Sequence, residues 1–88
     1  MKIAFRESFQ KDIDAIADRS LISRILDCIH EIEFASNMQS ISNIKKIKGR
    51  GSFWSVRIGD YRLGCVLEGD TIIFVRCLNR KEIYRFFP

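Results

Sequence analysis

The chain has 88 residues, of which 47 % are hydrophobic and 30 % are charged, and its formal net charge is +4. This length supports one domain with a modest core, and this composition is typical of a folded globular protein rather than of a disordered chain. The apolar runs are far shorter than the roughly 20 residues of a membrane-spanning helix, and the first residues do not resemble a secretory signal. We therefore expect a cytoplasmic protein with no membrane association.

The three cysteines are expected to be buried structural residues. Cys28, Cys65 and Cys77 are widely spaced and form no Cys-x-x-Cys motif, and the only histidine, His30, stands apart from them. Free cysteine is among the residue types most often buried, whereas a metal site needs clustered ligands. The sequence therefore predicts neither a metal nor another cofactor.

Positive charge is concentrated in the second half of the chain. Residues 1–44 carry five Lys/Arg and seven Asp/Glu, whereas residues 45–88 carry ten Lys/Arg and four Asp/Glu. A basic segment of this kind attracts polyanions, with nucleic acid first among them, although many basic surfaces are only solvated.

The first half of the chain is predicted to form one strand and two helices. Alternating residues in 1–7 predict a short strand, and Ser8 and Ser20 are each placed to cap a helix that follows. The two amphipathic helices are expected to pack as an antiparallel pair over an apolar surface. Residues 35–43 are predicted to form a polar loop, and residues 44–51 a basic connector that ends in a glycine turn. The apolar residues at helical spacing are Phe9, Ile13, Ile16 and Ala17 in the first helix and Ile22, Ile25, Leu26, Ile29 and Ile32 in the second.

The second half of the chain changes to a period of two residues. Strands are predicted over 53–58, 61–67 and 71–77, with tight turns at the two Gly-Asp pairs between them. Two helices followed by a three-stranded meander predict a single α+β domain in which the helices cover one face of an antiparallel sheet. The first strand is expected to join this sheet, on a side that the sequence leaves open.

The turn at residues 59–60 fixes a register that places two arginines opposite each other. With a two-residue turn, Arg57 faces Arg62 on one side of the sheet, and the small residues Ser55 and Gly64 lie beside them. The other side is apolar and is predicted to face the core. Its residues are Trp54, Val56, Ile58, Tyr61, Leu63, Cys65 and Leu67.

Such an arginine pair favours an anionic ligand. Like charges directly opposite on paired strands destabilise the sheet by up to about 1 kcal/mol, so a bound anion would offset a cost. The planar guanidinium suits phosphate because it donates two parallel hydrogen bonds and stays charged. The alternative is that Asp60, Glu68 or a helix carboxylate neutralises one arginine.

The end of the last predicted strand supplies further candidates. If it pairs beside residues 61–67, Arg80 and also Arg76 are expected to approach Arg62. Tyr84 would then offer a phenol for stacking on a base or for proton transfer. Its alternative role is to pack with the neighbouring phenylalanines against the sheet.

Three segments of the chain resemble the RelE/ParE superfamily of toxins from type II toxin–antitoxin systems. They are I-K-K-I-K-G at 44–49, R-I-G-D-Y-R at 57–62 and N-R-K-E-I-Y-R at 79–85. The order of one strand, two helices and three strands is also similar, so the resemblance spans essentially the whole chain.

The resemblance implies a ribosome-dependent endoribonuclease that cuts messenger RNA by attack of a 2′-hydroxyl on its own phosphate, without a metal. Arg57, Arg62 and Arg80 would stabilise the scissile phosphate, and Tyr84 would orient the base or move a proton. It also implies a small acidic antitoxin that masks the basic face, and contact with operator DNA only through the antitoxin complex. The expected contacts to RNA and ribosome are Lys45, Lys46, Lys48, Arg50, Arg76, Lys81 and Arg85.

Two positions depart from the family pattern and keep other functions open. Asn79 stands where the family often has histidine, and Ser55 where some members have a basic or acidic residue; asparagine cannot take a proton near neutral pH. His30 is predicted to be a solvated surface residue on the second helix. The alternatives are a ParE-like inhibitor of DNA gyrase that cuts nothing, and an inactive module kept for binding antitoxin or operator DNA.

Overall fold

A computed structural model of the chain describes residues 1–47, 49 and 51–88. Its elements follow the order β1, α1, α2, β2, β3, β4, β5 and α3. The five strands form one sheet in the spatial order β1-β5-β4-β3-β2. The bounds are β1 Lys2–Phe5, α1 Glu7–Asp14, α2 Arg19–Phe34, β2 Ile44–Lys46, β3 Phe53–Ile58, β4 Tyr61–Glu68, β5 Thr71–Asn79 and α3 Ile83–Phe86.

The predicted α+β architecture is confirmed, with one change in the sheet. Strands β3, β4 and β5 form the expected antiparallel meander, but β1 pairs with β5 in parallel, so the sheet is mixed. Aromatic packing secures this pairing, because the ring of Phe5 stacks on Phe74 of β5 at a centroid distance of 5.5 Å. Periodicity identifies a strand but carries no information on its direction.

The helix starts differ from those predicted. Arg6 occupies the N-cap of α1 without a side-chain hydrogen bond, and the Ser8 hydroxyl instead donates to the Val75 carbonyl at 2.6 Å. Asp18, not Ser20, caps α2 by accepting a hydrogen bond from the amide of Leu21. In both cases the predicted serine lies inside the first turn, one residue after the first helical residue. The sequence pattern does not locate a helix start more closely than this.

The segment between α2 and β3 contains more structure than predicted. Met38 and Ile41 are buried in the core although their neighbours are polar, and Met38–Ser40 form a short 3₁₀ turn. Residues Ile44–Lys46 form β2, which pairs antiparallel with β3 at the sheet edge. A three-residue strand is too short for its alternation to be visible in the sequence.

The core lies between the helices and the predicted apolar side of the sheet. Val56, Leu63 and Cys65 are fully buried, and Phe9 of α1 and Ile25 of α2 pack into the same cluster. The three cysteines are buried and free, as expected. Among the described residues, no helix is both long and apolar enough to cross a membrane.

Candidate functional site

The register of β3 and β4 places Arg57 directly opposite Arg62, as predicted. The Arg57 side chain is exposed, whereas Arg62 is partly buried and donates from Nη1 to the carbonyls of Gly59 and Tyr61, at 2.9 Å each. Within the described part of the chain, no carboxylate lies within 4.0 Å of either guanidinium. Asp60, one of the acids expected to neutralise the pair, lies instead 3.8 Å from Nε of Arg80.

Both arginines line a pocket of about 450 Å³, here called the arginine pocket. Among the described residues, three cationic side chains and no carboxylate line it, so its field favours an anion. Its lining residues are Ser42, Asn43, Ile44, Lys45, Ser55, Arg57, Arg62 and Tyr84.

Tyr84 reaches this pocket from α3. Its hydroxyl lies 3.3 Å from Oγ of Ser55, a buried serine on β3, yet the tyrosine side chain remains 57 % exposed. The phenol is therefore anchored at its hydroxyl and still accessible to a ligand. Stacking on a base and proton transfer by Tyr84 both stay predictions.

The C-terminal segment is held on the sheet by its apolar residues. Ile83 and Phe87 are buried, and the Phe87 ring covers Gly64, where an added β-carbon would lie 2.6 Å from the ring. Phe87 also meets Phe53 edge-on at a centroid distance of 5.7 Å. The absence of a side chain at Gly64 thus makes room for the tail that carries Tyr84.

Asn79, the departure from the family pattern, has a local structural role. Its side-chain oxygen accepts a hydrogen bond from the amide of Lys81 at 3.0 Å, which fixes the turn after β5. Ser55, the other departure, anchors the Tyr84 hydroxyl. His30 lies on the exposed side of α2, with its ring 4.9 Å from that of Phe34 and outside the arginine pocket.

The other predicted site residues divide into three groups. Arg80, Lys81 and Arg85 are exposed but do not line the arginine pocket. β5 extends to Asn79, opposite Tyr61, and this brings the amide of Arg80 to the Asp60 carbonyl at 2.7 Å, beside the β3–β4 turn rather than in the pocket.

Arg76 forms the second group and is held by α1. Its guanidinium makes two hydrogen bonds to the Asp12 carboxylate, at 2.7 and 3.1 Å, and the same carboxylate accepts from the Cys77 amide. Hydrogen bonding to Asp12 raises the pKa of Arg76. This residue therefore joins α1 to β5 and has little freedom to contact RNA.

The lysines of the basic segment form the third group. Lys45 lines the arginine pocket, and Nζ of Lys46 lies 5.8 Å from the centre of the Trp54 ring. Lys48 and Arg50 lie outside the described residues.

Two residues near the site were not predicted. Asn43 donates from its side chain to the Arg57 carbonyl at 2.6 Å and so fixes the backbone that carries this arginine. The guanidinium of Arg24, on α2, lies over Gly59, 3.1 Å from the position of an added β-carbon. The sequence signal for both is weak, because each depends on contacts between distant segments.

This fold and its arginine pocket define a small α+β domain with two facing arginines at one concave surface. The family model described as the ParE toxin of the type II toxin–antitoxin system parDE matches residues 3–84, and the chain belongs to this family. It is a toxin of the RelE/ParE superfamily, as the sequence motifs indicated.

Individual relatives agree with this assignment. Toxin RelE3 of Methanocaldococcus jannaschii is 39 % identical over 89 residues, covering 100 % of both chains. A RelB-RelE antitoxin–toxin complex from Methanococcus jannaschii contains a chain with 38 % identity and a TM-score of 0.81, with 97 % of this chain and 99 % of that chain covered. A chain of the RelE-RelB complex from Pyrococcus horikoshii, 16 % identical with a TM-score of 0.74 and 93 % and 97 % coverage, shares the fold.

Proposed function

We propose that this toxin is an endoribonuclease that cuts messenger RNA on the ribosome and thereby inhibits translation. The observation that carries the proposal is the arginine pocket, in which Arg57, Arg62 and Tyr84 line one concave surface that no carboxylate of the described residues lines. The name of the relative Toxin RelE3 supports the same activity.

The pocket suits cleavage by the neighbouring 2′-hydroxyl. In this reaction the 2′-hydroxyl loses its proton as its oxygen attacks the phosphorus, the 5′-oxygen of the next nucleotide leaves and takes up a proton, and a 2′,3′-cyclic phosphate forms. Negative charge develops on the nonbridging phosphate oxygens, where Arg57 and Arg62 would donate hydrogen bonds. Removing one such donor from a preorganised site typically reduces turnover by about 10² to 10³.

Tyr84 is proposed to act beside the arginines. Its hydroxyl is held by Ser55, so the phenol is oriented toward the pocket and is suited either to move a proton or to position the base. Arg80 lies at the nearby turn with its side chain 59 % exposed, and it would reach the phosphate by leaving Asp60, to which its contact is long. Asn79 takes no part in proton transfer in this scheme.

The exposed basic residues around the pocket are proposed to bind RNA or ribosome backbone. Lys45 and Lys46 lie on β2, and Lys81 and Arg85 lie in the C-terminal segment that carries Tyr84. Lys48 and Arg50 extend the basic segment in the sequence. Arg76 is assigned to the fold, because Asp12 holds it.

We further propose an acidic antitoxin as the regulatory partner in the cytoplasm. Two of the similar structures are antitoxin–toxin complexes. A negatively charged partner would cover the arginine pocket, and its affinity would fall as salt rises. Contact with operator DNA would then occur only through the complex.

The test maps transcript ends in a purified translation system to which the toxin is added. The proposal predicts cuts within codons, only on translated message, that are lost with Arg62→Ala and kept with Arg19→Ala, which changes an exposed arginine outside the pocket. Intact message under these conditions would contradict it. A gyrase supercoiling assay on the same preparation would then distinguish a gyrase inhibitor from an inactive binding module.

A further inference from the structure

Lys45 lies directly opposite Ser55 on the paired strands β2 and β3. Residues that face each other in an antiparallel pair point to the same side of the sheet. The Ser55 hydroxyl meets that of Tyr84, so Lys45 also points to this side, and it lines the arginine pocket. Its neighbour Lys46 lies opposite Trp54 and near its ring, on the other side of the sheet. β2 thus presents one of its two lysines to the pocket.

The ammonium of Lys45 is available to a ligand. The residue is exposed on the edge strand of the sheet, and no carboxylate of the described residues lies within 4.0 Å of its Nζ. Arg57 and Arg62 line the same pocket of about 450 Å³. A phosphate held by the two guanidinium groups would therefore lie beside the ammonium as well.

Cleavage by the 2′-hydroxyl needs a proton donor in addition to charge stabilisation. The 5′-oxygen is a poor leaving group unless a proton reaches it as its bond to phosphorus breaks. A guanidinium cannot supply this proton, because arginine stays protonated in proteins. Among the described residues that line the pocket, the acidic groups that remain are the ammonium of Lys45 and the phenol of Tyr84.

Of these two groups, the ammonium is the better donor to the leaving oxygen. A phenol that gives up its proton becomes an anion, and an anion beside a phosphate that is gaining negative charge opposes the reaction. An ammonium becomes a neutral amine instead and adds no such repulsion. The Tyr84 hydroxyl is also engaged with Ser55, at 3.3 Å, whereas the Lys45 ammonium has three protons to donate.

We propose that Lys45 is the general acid of the cleavage reaction, an inference that rests on the proposed cleavage of RNA. Its Nζ gives one proton to the 5′-oxygen as the bond between phosphorus and that oxygen breaks, and the 2′-hydroxyl proton passes to water. The neutral amine then takes a proton back from the solvent, which restores the ammonium and balances the cycle. This role goes beyond the contact to RNA backbone that Lys45 shares with the other basic residues.

A leaving group that needs no proton tests this role separately from RNA binding. The probe is a message, bound to the ribosome, in which sulfur replaces the bridging 5′-oxygen at the mapped cut site. A thiolate leaves without protonation, because a thiol is far more acidic than an alcohol. Lys45→Arg keeps the positive charge but gives up no proton. It should lower the single-turnover cleavage rate of the ordinary message by about 10² or more, yet cleave the sulfur-containing message at the wild-type rate.

Two further lysines serve as matched controls. Lys46→Arg changes the lysine on the other side of β2 and should alter the rates on both messages by the same factor, since a residue that binds RNA backbone does not distinguish leaving groups. Lys11→Arg changes an exposed residue of α1 outside the pocket and should alter neither rate.

The outcomes separate this inference from the proposed function. An ordinary-message rate of Lys45→Arg equal to that of the wild type, or an equal loss on both messages, would overturn the general acid while the wild-type cleavage still supports the nuclease. If the wild type cuts neither message, the nuclease proposal itself fails, and the role of Lys45 fails with it.

Discussion

Arg57 and Arg62 face each other across β3 and β4, and no described carboxylate comes within ion-pairing distance of either one. Asn43 fixes the backbone of the first, and the turn carbonyls of Gly59 and Tyr61 hold the second. The register therefore sets two like-charged residues directly opposite each other on paired strands. Such a pairing costs folding free energy, and proteins commonly accept a cost of this kind where a residue serves function.

Arg57→Gln should stabilise the protein slightly while impairing its activity. Removing one of two facing cations should raise the free energy of unfolding by a few tenths of a kcal/mol, up to about 1 kcal/mol at low salt. The gain should shrink as salt rises, because screening weakens the repulsion between exposed charges. Urea unfolding at two salt concentrations measures this, and a loss of stability at low salt would contradict the stated repulsion.

Tyr84→Phe should reduce cleavage without unfolding the protein. The variant loses the hydroxyl that meets Ser55 but keeps a ring on an exposed site. If the phenol moves a proton, cleavage should fall by about 10² or more. Single-turnover cleavage rates on translated message measure the loss, with Phe86→Leu, an exposed residue of α3, as the control. A rate equal to that of the wild type would remove Tyr84 from proton transfer and leave it only a positioning role.

Gly64→Ala should weaken the attachment of the C-terminal segment. The added methyl would lie 2.6 Å from the ring of Phe87, so the ring must move or the strand must shift. We expect a loss of about 1 to 3 kcal/mol in the free energy of unfolding, typical of an overpacked contact. In a Phe87→Ala background the same change should cost much less, and denaturation of the four variants measures this coupling. Additive losses would show that the ring and the glycine do not interact.

Asp12→Asn should destabilise the fold. Asp12 accepts two hydrogen bonds from Arg76 and one from the Cys77 amide, and its side chain is only 12 % exposed. We expect a loss of roughly 2 to 4 kcal/mol, somewhat below that of a fully buried ion pair because Arg76 retains some exposure. Asp14→Asn, an exposed change on the same helix, should stay within about 0.5 kcal/mol. Chemical denaturation compares them, and equal effects would show that the Asp12 contacts contribute little.

Stability should fall in alkaline solution because of the buried thiols. Burial raises the pKa of Cys65 and of Cys77 from 9.0 to about 12. The folded state therefore holds protons that the unfolded state releases, so the stabilisation is complete below pH 9 and is lost as pH rises toward 12. Each thiol contributes a decline of up to about 1.4 kcal/mol per pH unit in that window. Unfolding measured from pH 8 to 11 on wild type and Cys65→Ala checks this, and an equally steep decline in both would contradict it.

The fold could be predicted to the extent that it depends on local periodicity. The Gly-Asp turn fixed the register of β3 and β4, because a one-residue slip would bury Arg57 and Arg62 and expose Val56 and Leu63. The parallel pairing of β1 and the helix caps could not be predicted, since they depend on contacts between segments far apart in the chain. β2 was not predicted because three residues are too few to show the alternation of apolar and polar side chains that marks a strand.

The sequence predicted the residues that line the arginine pocket better than the positions of the basic residues around it. The facing arginines, Arg57 and Arg62, line one pocket together with Lys45 and Tyr84. Arg76 is instead held by the carboxylate of Asp12 on α1, a contact that no strand pattern reveals. The strand that precedes Arg80 continues two residues beyond its predicted end, which places that residue at the turn. Arg24 was missed because only the packing of α2 brings it over Gly59.

We propose that the arginine pair holds a phosphate for attack by the adjacent 2′-hydroxyl. The most direct measurement places a single 2′-deoxy nucleotide at the mapped cut site of a message bound to the ribosome and determines the ends of any fragments. If the 2′-hydroxyl is the nucleophile, the unmodified message yields a 2′,3′-cyclic phosphate and the 2′-deoxy message stays intact at that position. Cleavage of the 2′-deoxy message, or fragments that end in a 3′-hydroxyl, would contradict it.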